Sequence, residues 1–159
     1  MTADALVTQI ESELRAAGKP ERAEQEKRYL TSELEHFGTS VPATRKVVKA
    51  ILDRWATDDD FWVRRSALLA LLLPLRRGGG DFARFGRYAD AMLEEREFFI
   101  RKAIGWVLRD TSRKRPELVY AWLRPRVARA SGVTVREAVK HLPEAQRDEI
   151  LAAYRTART

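Results

Sequence analysis

Phe98-Phe99-Ile100-Arg101-Lys102-Ala103-Ile104-Gly105-Trp106-Val107-Leu108-Arg109-Asp110 decides how the rest of the chain reads. Ile100, Ala103, Ile104, Val107 and Leu108 recur at the i, i+3, i+4, i+7, i+8 spacing of a helix that packs one face on a core. The pattern also stands 37 residues earlier, as Phe61-Trp62-Val63-Arg64-Arg65-Ser66-Ala67-Leu68-Leu69, with Phe61 matching Phe98 and Arg64-Arg65 matching Arg101-Lys102. A fainter copy runs Val135-Arg136-Glu137-Ala138-Val139. Self-similarity at a period of about 35 to 40 residues marks stacked helical pairs, each burying its apolar face on the next. The expected fold is all-α, a short α-solenoid with a cation at the same place in each unit.

The 159 residues suffice for one domain with a core, taken as residues 1–159, with N-terminal helices over 3–56 and repeats over 57–159. A hydrophobic content of 45% and four tryptophans argue against disorder, although 33% of the residues are charged. With no cysteine, neither a disulfide framework nor a thiolate metal site is available. His36 and His141 stand far apart and no ligand spacing accompanies them, so no metal or cofactor is expected. The N-terminus has no basic stretch leading into an apolar run, which gives the expectation of a cytoplasmic protein with no membrane partner. Thirty Lys and Arg against 23 Asp and Glu leave +7, a balance that suits a polyanion such as nucleic acid.

Taken in order, Leu6, Ile10 and Leu14 stripe a helix over residues 3–17 that closes at Gly18 and Pro20. A polar helix follows to about His36, with Tyr29, Leu30, Leu34 and Phe37 as its buried positions. Pro42 and Thr44 open a third, whose apolar face is Val47, Val48, Ile51, Leu52 and Trp55. Thr57-Asp58-Asp59-Asp60 breaks that helix and caps the next. Residues 61–75 are apolar almost all round, which predicts a central helix; Pro74 and Gly78-Gly79-Gly80 end it. Asp81 caps a helix carrying Phe82, Phe85, Tyr88, Met92 and Leu93, and residues 97–111 form the helix quoted first. Pro116 starts another, with Leu118, Val119, Trp122 and Leu123 inward. Ser131-Gly132 turns into a short helix over 134–142. Pro143 begins the last, docked by Ile150, Leu151 and Tyr154. That is about nine helices and no strand.

Arginines at one position of successive repeats project along one face of a solenoid, where they can track a phosphate backbone. Arg64 or Arg65, Arg101 or Lys102, and Arg136 fill that row, with Arg45 and Lys46 as an earlier member. The other reading is helix-start residues paired with Asp58–Asp60 and Glu95, which contribute little. Trp106 is the second candidate: Gly105 beside it costs a helix interior about 1 kcal/mol, which implies close packing or room for a ligand at the ring. An indole in a basic groove contacts bases or sugars by stacking or cation–π attraction; the alternative is a core position.

These residues carry a resemblance. The stretch from Phe98 to Arg109 resembles the signature of the bacterial DNA alkylation repair family, the HEAT-like alkylpurine DNA glycosylases of the AlkD type. Phe61-Trp62-Val63-Arg64-Arg65-Ser66-Ala67 resembles the preceding repeat, and Arg136-Glu137-Ala138-Val139-Lys140-His141-Leu142 the C-terminal segment. Pro20-Glu21-Arg22-Ala23-Glu24 through Tyr29, Phe37-Gly38 and Val41-Pro42 resemble its first helices. The resemblance implies HEAT-like repeats curved around duplex DNA and the excision of alkylated purines, of 3-methyladenine and 7-methylguanine type, without a metal. It implies that Trp106 borders the lesion's deoxyribose and that Arg65, or Arg64 if the match slips by one, contacts the DNA backbone.

The resemblance also implies a Trp-x-x-x-Asp element in a central repeat, whose Asp stabilises the charge developing on the sugar. Set against that pattern, the chain passes from the 41–52 helix to Asp53-Arg54-Trp55 as though about two central repeats were absent, so the resemblance implies that the family Asp is absent and that Asp58–Asp60 are not its replacement. Losing such a group costs on the order of 100-fold or more in rate. The expected function is duplex-DNA-binding alkylation repair. The alternatives are a non-catalytic duplex-DNA-binding module, or a HEAT-like protein-interaction scaffold whose arginine row meets an acidic partner.

Overall fold

A computed structural model describes residues 3–30 and 35–158, and every described element is helical. The chain divides into two compact units, residues 1–57 and 58–159. In the first, α1 (Ala3–Ala17) packs on α3 (Val41–Trp55), and Arg54 of α3 pairs with Glu13 of α1. Ser40 caps α3 by accepting from Ala43 N at 3.3 Å, and Pro42 sits in the first turn, where its missing N–H costs nothing. Ile51 and Leu52 are buried as expected, whereas Val48 is exposed.

Between them lies α2 (Pro20–Leu30), which corrects the reading of that stretch. Tyr29 is 87% exposed and Leu30 59%, not buried. The helix is polar on every side, with Glu21, Arg22, Glu24, Glu26, Lys27 and Arg28 leaving no stripe wide enough to pack. Glu35 and His36 are not helical, and Leu34 lies outside the described residues.

The second unit contains α4 (Phe61–Leu69), α5 (Leu72–Arg76), α6 (Phe82–Ala91), α7 (Phe98–Ser112), α8 (Pro116–Leu123), α9 (Gly132–Ala138) and α10 (Glu144–Thr156). Short 3-10 turns, Arg124–Arg126 and Val139–His141, follow α8 and α9. All nine expected helices are present, that of residues 61–75 in two pieces. Pro74 explains the break: it has no N–H for the Ala70 carbonyl, and its ring would press against that carbonyl in a continuous helix. The chain kinks at Ala70-Leu71, with Gly78 and Gly80 at φ 88° and 76° in the turn that follows.

The central helix of this unit is α7, not 61–75; it packs against α4, α5, α8 and α9. Its predicted apolar face is the buried one: Ile100, Ala103, Ile104, Val107 and Leu108 are sealed from solvent. The 61–75 stretch keeps Trp62 and Leu73 exposed, because only its Val63, Ala67, Leu68, Leu71 and Leu75 side turns inward. Leu118 of α8 also faces out, while Val119, Trp122 and Leu123 are buried. No helix among the described residues is long and apolar enough to cross a membrane.

Candidate functional site

In the second unit, α4–α5 and α7 lie side by side and run in the same direction. The Trp62 and Phe99 rings meet near their starts, centroids 5.0 Å apart, and Arg76 at the end of α5 reaches Asp110 of α7 at 2.8 Å. The side chains α7 turns away from the core, Lys102, Trp106, Arg109 and Arg113, follow one another at helical spacing on one stripe. Three cations and an indole therefore share an outward face.

The doubled cations of the repeats divide their work. Arg64 is fully engaged: Nε and Nη2 bind Glu95 at 3.1 and 2.8 Å, while Nη1 donates to the carbonyls of Asp58 and Asp59. The Glu95 carboxylate, by hydrogen bond and charge, holds the Arg64 pKa above its ordinary value. Arg101 repeats part of this, its Nε donating to the Glu95 carbonyl at 2.7 Å. Both arginines thus bind the loop six residues upstream of themselves. The next residue in each case has no acidic partner among the described residues. Arg65 places its guanidinium 5.6 Å from the centre of the Trp62 ring, and its buried Nε has no hydrogen-bond partner. Lys102 lies over Phe98, Nζ to centroid 5.8 Å. Arg136 leaves the row: its Nη1 lies against Gly132, beside the Tyr154 hydroxyl, on the α10 side of α9.

Trp106 is partly buried, and its Nε1 donates to Asp110 Oδ2 at 3.2 Å. Asp110 also accepts from Arg76, at 2.8 and 2.5 Å, and from Arg109 Nε at 3.3 Å. Arg109 bridges onward to Glu137, which Lys140 meets at 2.5 Å. Burial pushes the Asp110 carboxyl up, but hydrogen bonds from Arg76 and Arg109 outweigh it and hold the group below the ordinary carboxylate range. Glu137 is held low chiefly by Lys140. His141 is shifted down by burial, with Arg113 and Arg109 adding to the effect. Gly105 is explained by close packing: a Cβ there would lie 2.8 Å from Glu137 Cβ and 3.2 Å from Thr134 Cα. Among the described residues no cluster of three or more His, Cys, Asp or Glu side chains is arranged to hold a metal ion.

A sequence model of the family described as "DNA alkylation repair enzyme" matches residues 10–54 and 48–142. The chain belongs to this family. Membership places it in DNA alkylation repair. No curated protein matches it. Among solved structures it is similar to one described as "Predicted DNA alkylation repair enzyme from Enterococcus faecalis", at a TM-score of 0.52 and 22% identity, over 91% of this chain and 78% of that one. At that identity the likeness is one of fold, and it agrees with an all-α, solenoid-like chain.

Of the site residues expected for this family member, Arg65, Lys102 and Trp106 lie on the adjoining outer sides of α4 and α7. Arg64 and Arg101 are held by the Glu95 loop, and Arg136 lies apart. Sequence reasoning missed Asp110, Arg76 and Glu137. The Trp-x-x-x-Asp element of a central repeat is expected to be absent; Trp106 and Asp110 stand at the same spacing on α7, joined by a hydrogen bond. The signal was legible: residues four apart on a helix share a face.

Proposed function

We propose that the protein binds duplex DNA at alkylated purines through this HEAT-like surface and hydrolyses the N-glycosidic bond of the damaged nucleotide. The observation that carries this reading is Trp106, its indole fixed by Asp110, on one stripe with Lys102 and Arg113, cations with no acidic partner among the described residues. Lys102, Arg113 and Arg65 neutralise backbone phosphates, and the indole rests on the lesion's sugar, the place its position in the resemblance implies. Alkylation leaves the purine cationic. Its bond to C1′ breaks with the electron pair going to the base, which leaves neutral; water then adds to the oxocarbenium-like sugar and loses a proton. Negative charge beside that sugar lowers the barrier.

A second reading, a reader of alkylated duplex that does not cut, is favoured by one fact. The Asp110 side chain is only 6% exposed and is held by two arginines, so its charge is largely compensated before DNA arrives.

The deciding experiment measures 7-methylguanine release from methylated duplex DNA, with binding followed in parallel over a salt series. The expected result is release that falls at least 10-fold in Trp106→Ala, with duplex binding that weakens as salt rises. Salt-dependent binding without release above buffer would establish the second reading; neither binding nor release would refute both.

A further inference from the structure

Phe61, Trp62, Phe98 and Phe99 meet where α4 and α7 begin. Trp62 is 47% exposed, Phe98 51% and Phe99 41%. The rings touch in series: Phe61 to Trp62 at 4.6 Å, Trp62 to Phe99 at 5.0 Å, Phe99 to Phe98 at 5.5 Å. Contiguous exposed aromatics on this scale mark an interaction surface. Arg65 lies over Trp62 and Lys102 over Phe98, neither with an acidic partner among the described residues. The surface thus offers flat apolar faces edged by free positive charge.

A ligand that satisfies both carries planar rings at close intervals along an anionic chain. Unpaired nucleic-acid strands have that chemistry: bases stack on aromatic side chains while cations follow the phosphates. Bases inside an intact duplex are already covered on both faces. A second copy of this chain would bring like charges together, Arg65 and Lys102 facing their own counterparts, which opposes pairing. An acidic protein surface would meet the cations and leave the rings uncovered.

We propose that the Trp62–Phe99 platform stacks the unpaired bases of a DNA strand, with Arg65 and Lys102 on the phosphates beside them. The inference rests on the duplex-binding reading and extends it to the single-stranded stretches that damage and repair create.

The test is fluorescence anisotropy of the full chain with three end-labelled probes: an oligothymidylate of about twelve nucleotides, the same backbone carrying only abasic sites, and a duplex of equal length. The oligothymidylate should bind on the order of 10-fold more tightly than the abasic strand. The double variant Trp62→Ala/Phe99→Ala should lose that difference and keep duplex affinity within about threefold. Trp62→Phe, which preserves a ring, should retain the difference and guards against a folding defect, which circular dichroism checks directly. Equal affinity for the two single strands, or a base preference that survives the double variant, overturns the proposal. So does sedimentation showing a dimer that the double variant dissolves. If the protein binds no probe at all, the duplex reading falls with it; duplex binding without base preference sinks the platform alone.

Discussion

Arg64 and Arg65 are neighbours with the same side chain, and their surroundings give them opposite expected behaviour. Arg64→Gln removes a two-point ion pair and the bonds to the Asp58 and Asp59 carbonyls, from a side chain only 18% exposed. It should destabilise the fold by about 2 kcal/mol in chemical denaturation and change DNA affinity little. Arg65→Gln breaks no ion pair among the described residues, so stability should move by less than about 0.5 kcal/mol. Duplex binding should weaken and its logarithmic salt slope fall by about 1. Gly105 gives another expectation at this scale. Alanine would improve helix propensity by about 1 kcal/mol, but its methyl would strike Glu137 and the Thr134 backbone. The backbone cannot yield as a flexible side chain would, so Gly105→Ala should be net destabilising by about 1–2 kcal/mol, read from the denaturant midpoint.

At the scale of elements, the chain Arg76–Asp110–Arg109–Glu137–Lys140 ties α5 and α7 to α9 and the turn after it. Asp110 and Glu137 are both held below their ordinary values of 3.8 and 4.5. A lowered folded-state pKa contributes stability that is present above the unfolded value and lost as pH falls through the folded one. Urea midpoints should therefore hold steady from pH 7 to about 5 and drop below about pH 4, and Asp110→Asn should flatten that acid limb. The helix periods, caps and loop residues of this unit were legible in the sequence because each depends on a few neighbouring residues: Asp60, Asp81 and Ser131 cap the helices they precede. The ion-pair chain was not, because it joins residues 28 and 34 positions apart whose meeting depends on how the helices pack. Tyr29 and Leu30 misled for the opposite reason. Apolar residues on a helix read as buried, but burial needs a partner surface, and a helix as polar as α2 recruits none.

Across the whole molecule, apolar burial is uneven. No described hydrophobic side chain before Ile51 is buried, whereas α7 alone seals five. Opening free energy follows buried contacts, so amide exchange should be fastest over residues 3–30 and slowest in α7, with the difference spanning orders of magnitude in rate. Uniform protection along the chain would contradict this. The family resemblance reached further than the physics of any single stretch, because ordered motifs spread over the chain are specific to one ancestry, while a lone amphipathic helix is not. Arg64 and Arg101, each holding the loop six residues behind it, add something that neither stability nor binding expresses. Every such unit carries its own clasp, so the closure of a loop travels with the helix that follows it. A chain assembled this way gains or sheds length in whole modules, by tandem duplication or by excision, without its remaining joints having to be reinvented.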